Sequence, residues 1–239
     1  LKKIVNLLDL IYKLTIPVKL KRSKEVIGVN DKFLELPEEK RNNIINAGLE
    51  IFGRNGYTHA STEEIAVRAG ISKGLLFYYF HNKRAFYTFL FEWAVSQVKS
   101  SVLGGEFDQI TDFFQLCEYA AKRKYALLHQ SPHIMDFLMR AFYSRQDAAS
   151  GEINRKIAGE TADIFSLYFT RVDFSKFRDD VDPKEISQML VWVMDGYLHE
   201  QQLAGQSVDL DDVMEKFRLW SAWFRKISYK EEFSDECGH

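Results

Sequence analysis

The sequence predicts an all-α protein of about nine helices, and three observations carry that prediction. Apolar residues recur at helical spacing from residue 38 almost to the C-terminus. Only 13 Gly and 4 Pro occur in 239 residues, too few turn-makers for a many-stranded sheet. Hydrophobic residues make up 46% and charged residues 28%, which suits a chain with a buried core and argues against disorder. Cys117 and Cys237 lie far apart, which excludes a disulfide-dense scaffold and a Cys-based zinc ribbon. No apolar run approaches the roughly 18 residues of a membrane span. The chain therefore reads as cytoplasmic, with no membrane partner.

Residues 1–36 form an N-terminal extension. Lys2 and Lys3 precede an apolar stretch from Ile4 to Leu14, but Asn6, Asp9 and Lys13 interrupt it. No small-residue cleavage site follows, so a signal peptide is not indicated. The first residue is Leu1 and the first Met is Met135. Lys24-Glu25-Val26 can be encoded by a purine-rich ribosome-binding sequence, with Val29 as a start codon shortly after. The residues before Val29 are then translated leader; a UUG start translated as Leu1 is the other reading of the start. An amphipathic helix or a basic arm for phosphates are the other readings.

The first helix of the body carries Ile44, Ile45, Gly48, Leu49 and Phe52 on one face and stops near Asn55-Gly56. Ser61-Thr62-Glu63-Glu64 caps a short second helix, with acids at the positive end of its dipole. Gly70 allows the left-handed backbone of a tight turn. Ser72 caps a short third helix through Leu75, Leu76, Tyr79 and Phe80, and Asn82 caps a long fourth one to about Ser101. Two short helices joined by Ala-Gly-Ile-Ser fit a helix-turn-helix, which places its second helix in the DNA major groove. Helical hairpins of this size also occur as plain structure. Charge is distributed accordingly. Residues 1–36 carry +4, residues 37–99 carry +2 and residues 100–239 carry −8, so the overall −2 conceals a basic front on an acidic body.

Here the pattern becomes specific. It reads Phe-x3-Gly-Tyr from Phe52, then Ser-Thr-x2-Ile-Ala-x2-Ala-Gly-Ile-Ser-x-Gly from Ser61, then Phe-x-Tyr-Phe-x2-Lys from Phe77. Over Ile44 to Phe86 the chain resembles the DNA-binding module of the TetR family of bacterial transcriptional repressors. The resemblance implies a helix-turn-helix domain over residues 37–84, followed by an effector-binding and dimerisation domain over residues 85–239. It implies that Thr62 holds a phosphate and that Lys73, Gly74 and Tyr78 face the groove, with Ser72 at the helix start. Tyr79 and Lys83 would grip backbone phosphates, while Leu76 and Phe80 are core. Two departures stand out. The family usually has Thr or Ser at the position of Leu75 and Tyr at that of Phe77, so apolar contact replaces a hydroxyl at both.

Beyond Gly104-Gly105 the helical stripes are apolar and aromatic. Ile110, Phe113, Phe114, Cys117, Ala120, Ala121 and Leu128 form one, and Pro132 opens the next with Ile134, Phe137, Leu138, Ala141 and Phe142. Ile153 to Tyr168 gives another, Asp182-Pro183 caps a helix through Tyr197, and Asp209 begins the last. Candidate walls of an effector pocket are Trp93, Phe114, Cys117, Phe137, Phe142, Phe165 and Tyr168, with His129, His133 and Arg140 as polar anchors. For each of them core packing is the competing reading. The effector expected is apolar or aromatic, or amphipathic. His129 and His133 are four apart, but Pro132 breaks the helix between them, so no metal is expected, and no cofactor either.

Phe217, Trp220 and Phe224 form a seam that fits either an internal core or a dimer. The resemblance favours the dimer, with Met189, Val193, Gly196 and Tyr197 on the preceding helix. The chain lacks a P-loop, Gly-x-Ser-x-Gly, Gly-x-Gly-x-x-Gly and His-Glu-x-x-His. The expected function is that of a homodimeric repressor, not an enzyme, released from a palindromic DNA operator by a small effector. A helical adaptor or an all-α enzyme are the alternatives.

Overall fold

The computed structural model describes residues 29–102, 105–143, 169–205 and 208–234. These residues contain ten α-helical elements and two short 3-10 turns. In chain order the helices are α1 (Asp31–Leu34), α2 (Glu38–His59), α3 (Thr62–Arg68), α4 (Lys73–Phe80) and α5 (Lys83–Val102), then α6 (Phe113–Gln130), α7 (Pro132–Tyr143), α8 (Pro183–Leu203), α9 (Leu210–Ser228) and α10 (Glu231–Ser234). The only β pairing among the described residues is an isolated antiparallel bridge between Phe177 and Tyr229. The predicted helix from Ile153 to Tyr168 lies outside the described residues.

The chain divides into two compact units, Pro17–Gln97 with Ser131–Glu160, and Val98–Gln130 with Thr161–His239 (together with Leu1–Ile16, outside the described residues). In the first unit, α7 packs along α2. Two glycines make that packing close. A Cβ at Gly53 would sit 3.0 Å from the Phe137 backbone N, and one at Gly48 would sit 2.5 Å from Leu90 Cδ1 on α5. Aromatic edges then interlock. Tyr87 meets Phe52 at 5.0 Å and Phe137 at 5.1 Å between ring centroids, and Phe80 lies 4.4 Å from Phe86.

Helix α1 extends this core at residues the sequence reading assigned to the extension. Phe33 is fully buried, 4.7 Å from the Phe80 ring and 5.3 Å from that of Phe89. Asn30 caps α1 by accepting from Lys32 N.

The second unit is built around Phe113, Phe114, Phe169, Phe177 and Tyr229. Its polar centre is Asp112, only 3% exposed. The carboxylate accepts from Arg225 Nη2 at 2.5 Å, from Lys176 Nζ at 3.0 Å and from Gln115 N at 3.0 Å, so it caps α6 and neutralises two cations together. The Arg225 guanidinium also stacks 4.9 Å from the Tyr229 ring centroid. Buried beside these groups, the Tyr229 hydroxyl is held well above the usual phenol range.

Candidate nucleic-acid interface

The helix-turn-helix is assembled by backbone geometry that the sequence dictates. α2 breaks at Gly56, whose φ of 72° is open to glycine. α3 follows with Ser61 Oγ accepting from Glu64 N, and it ends at Gly70, where φ is 68°. Ser72 Oγ then accepts from Leu75 N at 3.1 Å and starts α4. Ile65, Ala66, Leu76 and Phe80 point inward and fix the two helices against α2 and α5. What remains on the outer side of α4 is Ser72, Lys73, Gly74 and Tyr78, all exposed, with Leu75 and Phe77 half-buried at its margins. Tyr78 is 52% exposed, an unusual place for an aromatic ring unless it has something to touch.

Charge on this face is loosely held. Lys73 Nζ lies 3.2 Å from Glu63 Oε2, and Arg54 Nη2 lies 3.2 Å from Glu64 Oε1, all four groups well exposed. Exposed pairs of this kind are worth little, so the cations can be exchanged to an external phosphate at small cost. Thr62 sits half-exposed in the first turn of α3.

Two residues expected at phosphates are placed differently. Tyr79 is only 6% exposed. Its ring packs against Phe33, because α1 covers this side of α4, and Asn30 N donates to Tyr79 O at 2.8 Å. Lys83 is half-buried. Its ammonium reaches Thr58 O at 3.3 Å and lies 4.9 Å from the Tyr57 ring centroid, fastening the start of α5 to the end of α2. That carbonyl and ring offset the unfavourable placing of a cation at a helix N-terminus. The turn between α4 and α5 is strained: His81 has φ 60° and ψ −45°, and Asn82 N donates to Phe80 O at 2.6 Å, as in a γ-turn.

The expected pocket residues divide between the units. Trp93, His133, Phe137 and Arg140 belong to the first, and Phe114 and Cys117 to the second. Phe114 and Phe137 are core side chains, 3% and 0% exposed. Arg140 is not a free anchor, since it donates from Nε to Gly53 O and from Nη2 to Arg54 O, capping the carbonyl end of α2. Trp93, Cys117 and His133 are half-buried, while His129 is exposed. Phe165 and Tyr168 lie outside the described residues, as does the side chain of Phe142. Among the described residues, no group of three or more His, Cys, Asp or Glu is placed to hold a metal ion, and no helix is long and apolar enough to cross a membrane.

The dimer candidates also separate. Met189, Val193 and Gly196 stand outward on α8, joined by Trp192 at 56% exposure, and a Cβ at Gly196 would meet nothing within 4 Å. The seam of Phe217, Trp220 and Phe224 is half-buried within its own unit. Phe224 packs on the core and Trp220 meets Tyr197 edge-on at 5.8 Å. The outward apolar residues of α9 are Leu219, Trp223 and Ile227, none of them in the seam named from the sequence.

Comparison with known proteins agrees with this geometry. The profile of bacterial regulatory proteins of the tetR family matches residues 44–88. The transcriptional activator FasR of Mycolicibacterium smegmatis is 35% identical over 80 residues, which cover 33% of this chain and 36% of that protein. A TetR-family regulator from Chloroflexus aurantiacus superposes with a TM-score of 0.58 at 18% identity, covering 85% of this chain and 100% of the other. SmeT, the repressor of a multidrug efflux pump of Stenotrophomonas maltophilia, does so with 0.56 at 18% identity, covering 81% and 94%. Residues 44–88 thus match the DNA-binding module of the tetR family of bacterial regulatory proteins, and the fold is like that of solved TetR-family regulators.

Proposed function

We propose that the protein is a homodimeric, effector-responsive repressor that binds a palindromic DNA operator in the cytoplasm. The observation that carries the reading is the outer face of α4, where Lys73, Gly74 and Tyr78 project from a rigidly capped helix. Such a helix enters the major groove with its N-terminal half toward base edges. Gly74 leaves the backbone open to close approach, and Tyr78 offers a broad ring to the groove wall. Leu75 and Phe77, half-buried beside them, suit apolar contact with a thymine methyl.

One such helix binds weakly. A second, supplied by another copy about one helical turn of DNA away, multiplies affinity and reads an inverted repeat. The outward row of Met189, Trp192, Val193 and Gly196 with Leu219, Trp223 and Ile227 supplies an apolar surface suited to that pairing. Effector that favours a dimer with altered helix spacing lowers DNA affinity by its differential binding to the two states.

The test is a gel shift on fragments upstream of the protein's own gene and its neighbours, over a salt series. Sequence-specific, salt-sensitive retardation is expected, lost on Tyr78→Ala with the dimer intact. Absence of specific binding on every fragment would refute the reading. Activation is a second reading, favoured by the name of the FasR relative; the module holds DNA alike in both cases, and a reporter assay with the gene deleted gives the sign.

A further inference from the structure

The last turn of an α-helix leaves four carbonyls without partners inside the helix. In α4 they belong to Phe77, Tyr78, Tyr79 and Phe80. The chain that follows satisfies two of them, with His81 N donating to Phe77 O at 2.7 Å and Asn82 N to Phe80 O at 2.6 Å. The other two are met from far away in sequence. Asn30 N donates to Tyr79 O at 2.8 Å, and Asn30 Nδ2 donates to Tyr78 O at 3.4 Å. A single residue, placed before the matched module at residues 44–88, thus closes the end of the recognition helix.

Asn30 is itself held in place. Its Oδ1 accepts from Lys32 N at 3.0 Å and starts α1, and Arg41 Nη1 donates to Leu34 O at 3.2 Å at the other end. Between these ties Phe33 is fully buried, 4.7 Å from the Phe80 ring and 5.7 Å from that of Tyr79. The Tyr79 ring lies in turn 5.7 Å from that of Tyr78. A row of rings therefore runs from the core at Phe33 to the exposed Tyr78 on the outer side of α4. Helix α1 is poorly built to hold phosphate itself. Asp31 to Glu35 bring two acids and one base, and that base, Lys32, pairs with Glu35 Oε2 at 2.7 Å. Its value is positional, because a side chain that reads a groove must have its rotamer fixed by neighbours. We propose that Asn30 and Phe33 are positioning residues for DNA reading. They fix the C-terminal end of α4, and through Tyr79 the ring of Tyr78, in the orientation that meets the duplex. This rests on the DNA-binding reading given above and extends the reading unit to residues ahead of the module.

The experiment is selection from a pool of random DNA duplexes by the purified full chain. Fluorescence anisotropy then compares the most enriched duplex with a scrambled duplex of the same composition. Phe33→Leu keeps an apolar side chain in the core and removes the ring contact. Asn30→Asp keeps the acceptor that caps α1 and has no donor for Tyr78 O. Each variant should bind the enriched duplex about tenfold more weakly and the scrambled one unchanged. In a Tyr78→Ala background each should cost less than about twofold, because the ring through which they act is gone. Equal losses on both duplexes, or an undiminished loss without Tyr78, would make the contacts merely structural and overturn the proposal. So would unchanged affinity in both variants. If circular dichroism shows that Phe33→Leu does not fold, Asn30→Asp, which leaves the core untouched, carries the test. Enrichment of no duplex by the unmodified protein would overturn the DNA-binding reading as well, whereas enrichment with indifferent variants removes the positioning role alone.

Discussion

Replacing Lys124, on α6, by Met should stabilise the protein, by an amount that depends on pH. The ammonium titrates at about 8 in the fold against 10.5 in the unfolded chain. That difference favours the neutral amine in the native state. Since the folded value lies below the unfolded one, the fold is penalised wherever the unfolded chain holds the extra proton. The penalty is full below about 8 and is relieved as pH rises toward 10.5. Lys124→Met should therefore be more stable than the unmodified protein at pH 7, by up to about 3 kcal/mol, and the gap should narrow toward pH 9. Urea unfolding at equal protein concentration measures it. Cys117 sets the upper limit of the window. Its thiol, raised from 9.0 to about 12, contributes stability that is full below about 9 and lost above it. Both proteins carry that residue, so the difference between them isolates Lys124. A variant no more stable than its parent at pH 7, or a gap that does not shrink with pH, would refute the argument that burial lowers the Lys124 ammonium.

Three further outcomes follow from the packing. Asp112→Asn leaves Arg225 and Lys176 beside a group that no longer carries charge, and should cost about 3–5 kcal/mol of stability in chemical denaturation. Trp192→Asp with Trp223→Asp places charge on the outward apolar row; sedimentation should show a monomer with unchanged helical circular dichroism, and a persistent dimer would remove that face as the interface. His81→Gly relieves a positive-φ turn and should raise stability by about 1 kcal/mol, read as a higher melting temperature; a lower one would mean that the turn is not strained.

The DNA-facing module was legible in the sequence because each of its devices is local. A cap at Ser61, a turn at Gly70, a cap at Ser72 and a cap at Asn82 each act within a few residues, and the structure shows all four. The placement of Tyr79 and Lys83 was not legible, since it depends on distant partners. Phe33 covers the tyrosine from 46 positions away, and Thr58 takes the lysine from across a helix end.

Helix α9 shows how an apolar pattern can be right in period and wrong in phase. Its most buried residues are Met214, Ser221, Arg225 and Ser228, three of them polar. Hydrophobicity alone sends Ser221 and Arg225 outward and rotates the inferred inner face toward Phe217, Trp220 and Phe224. The buried carboxylate of Asp112, just ahead of α6 and more than a hundred residues away, pairs with Arg225 and holds it inward. Leu219, Trp223 and Ile227 are consequently left on the outside. The internal ion pair and the outward apolar row are then two sides of one helix orientation. With Trp223 58% exposed, that row is the surface which the proposed pairing with a second copy would bury.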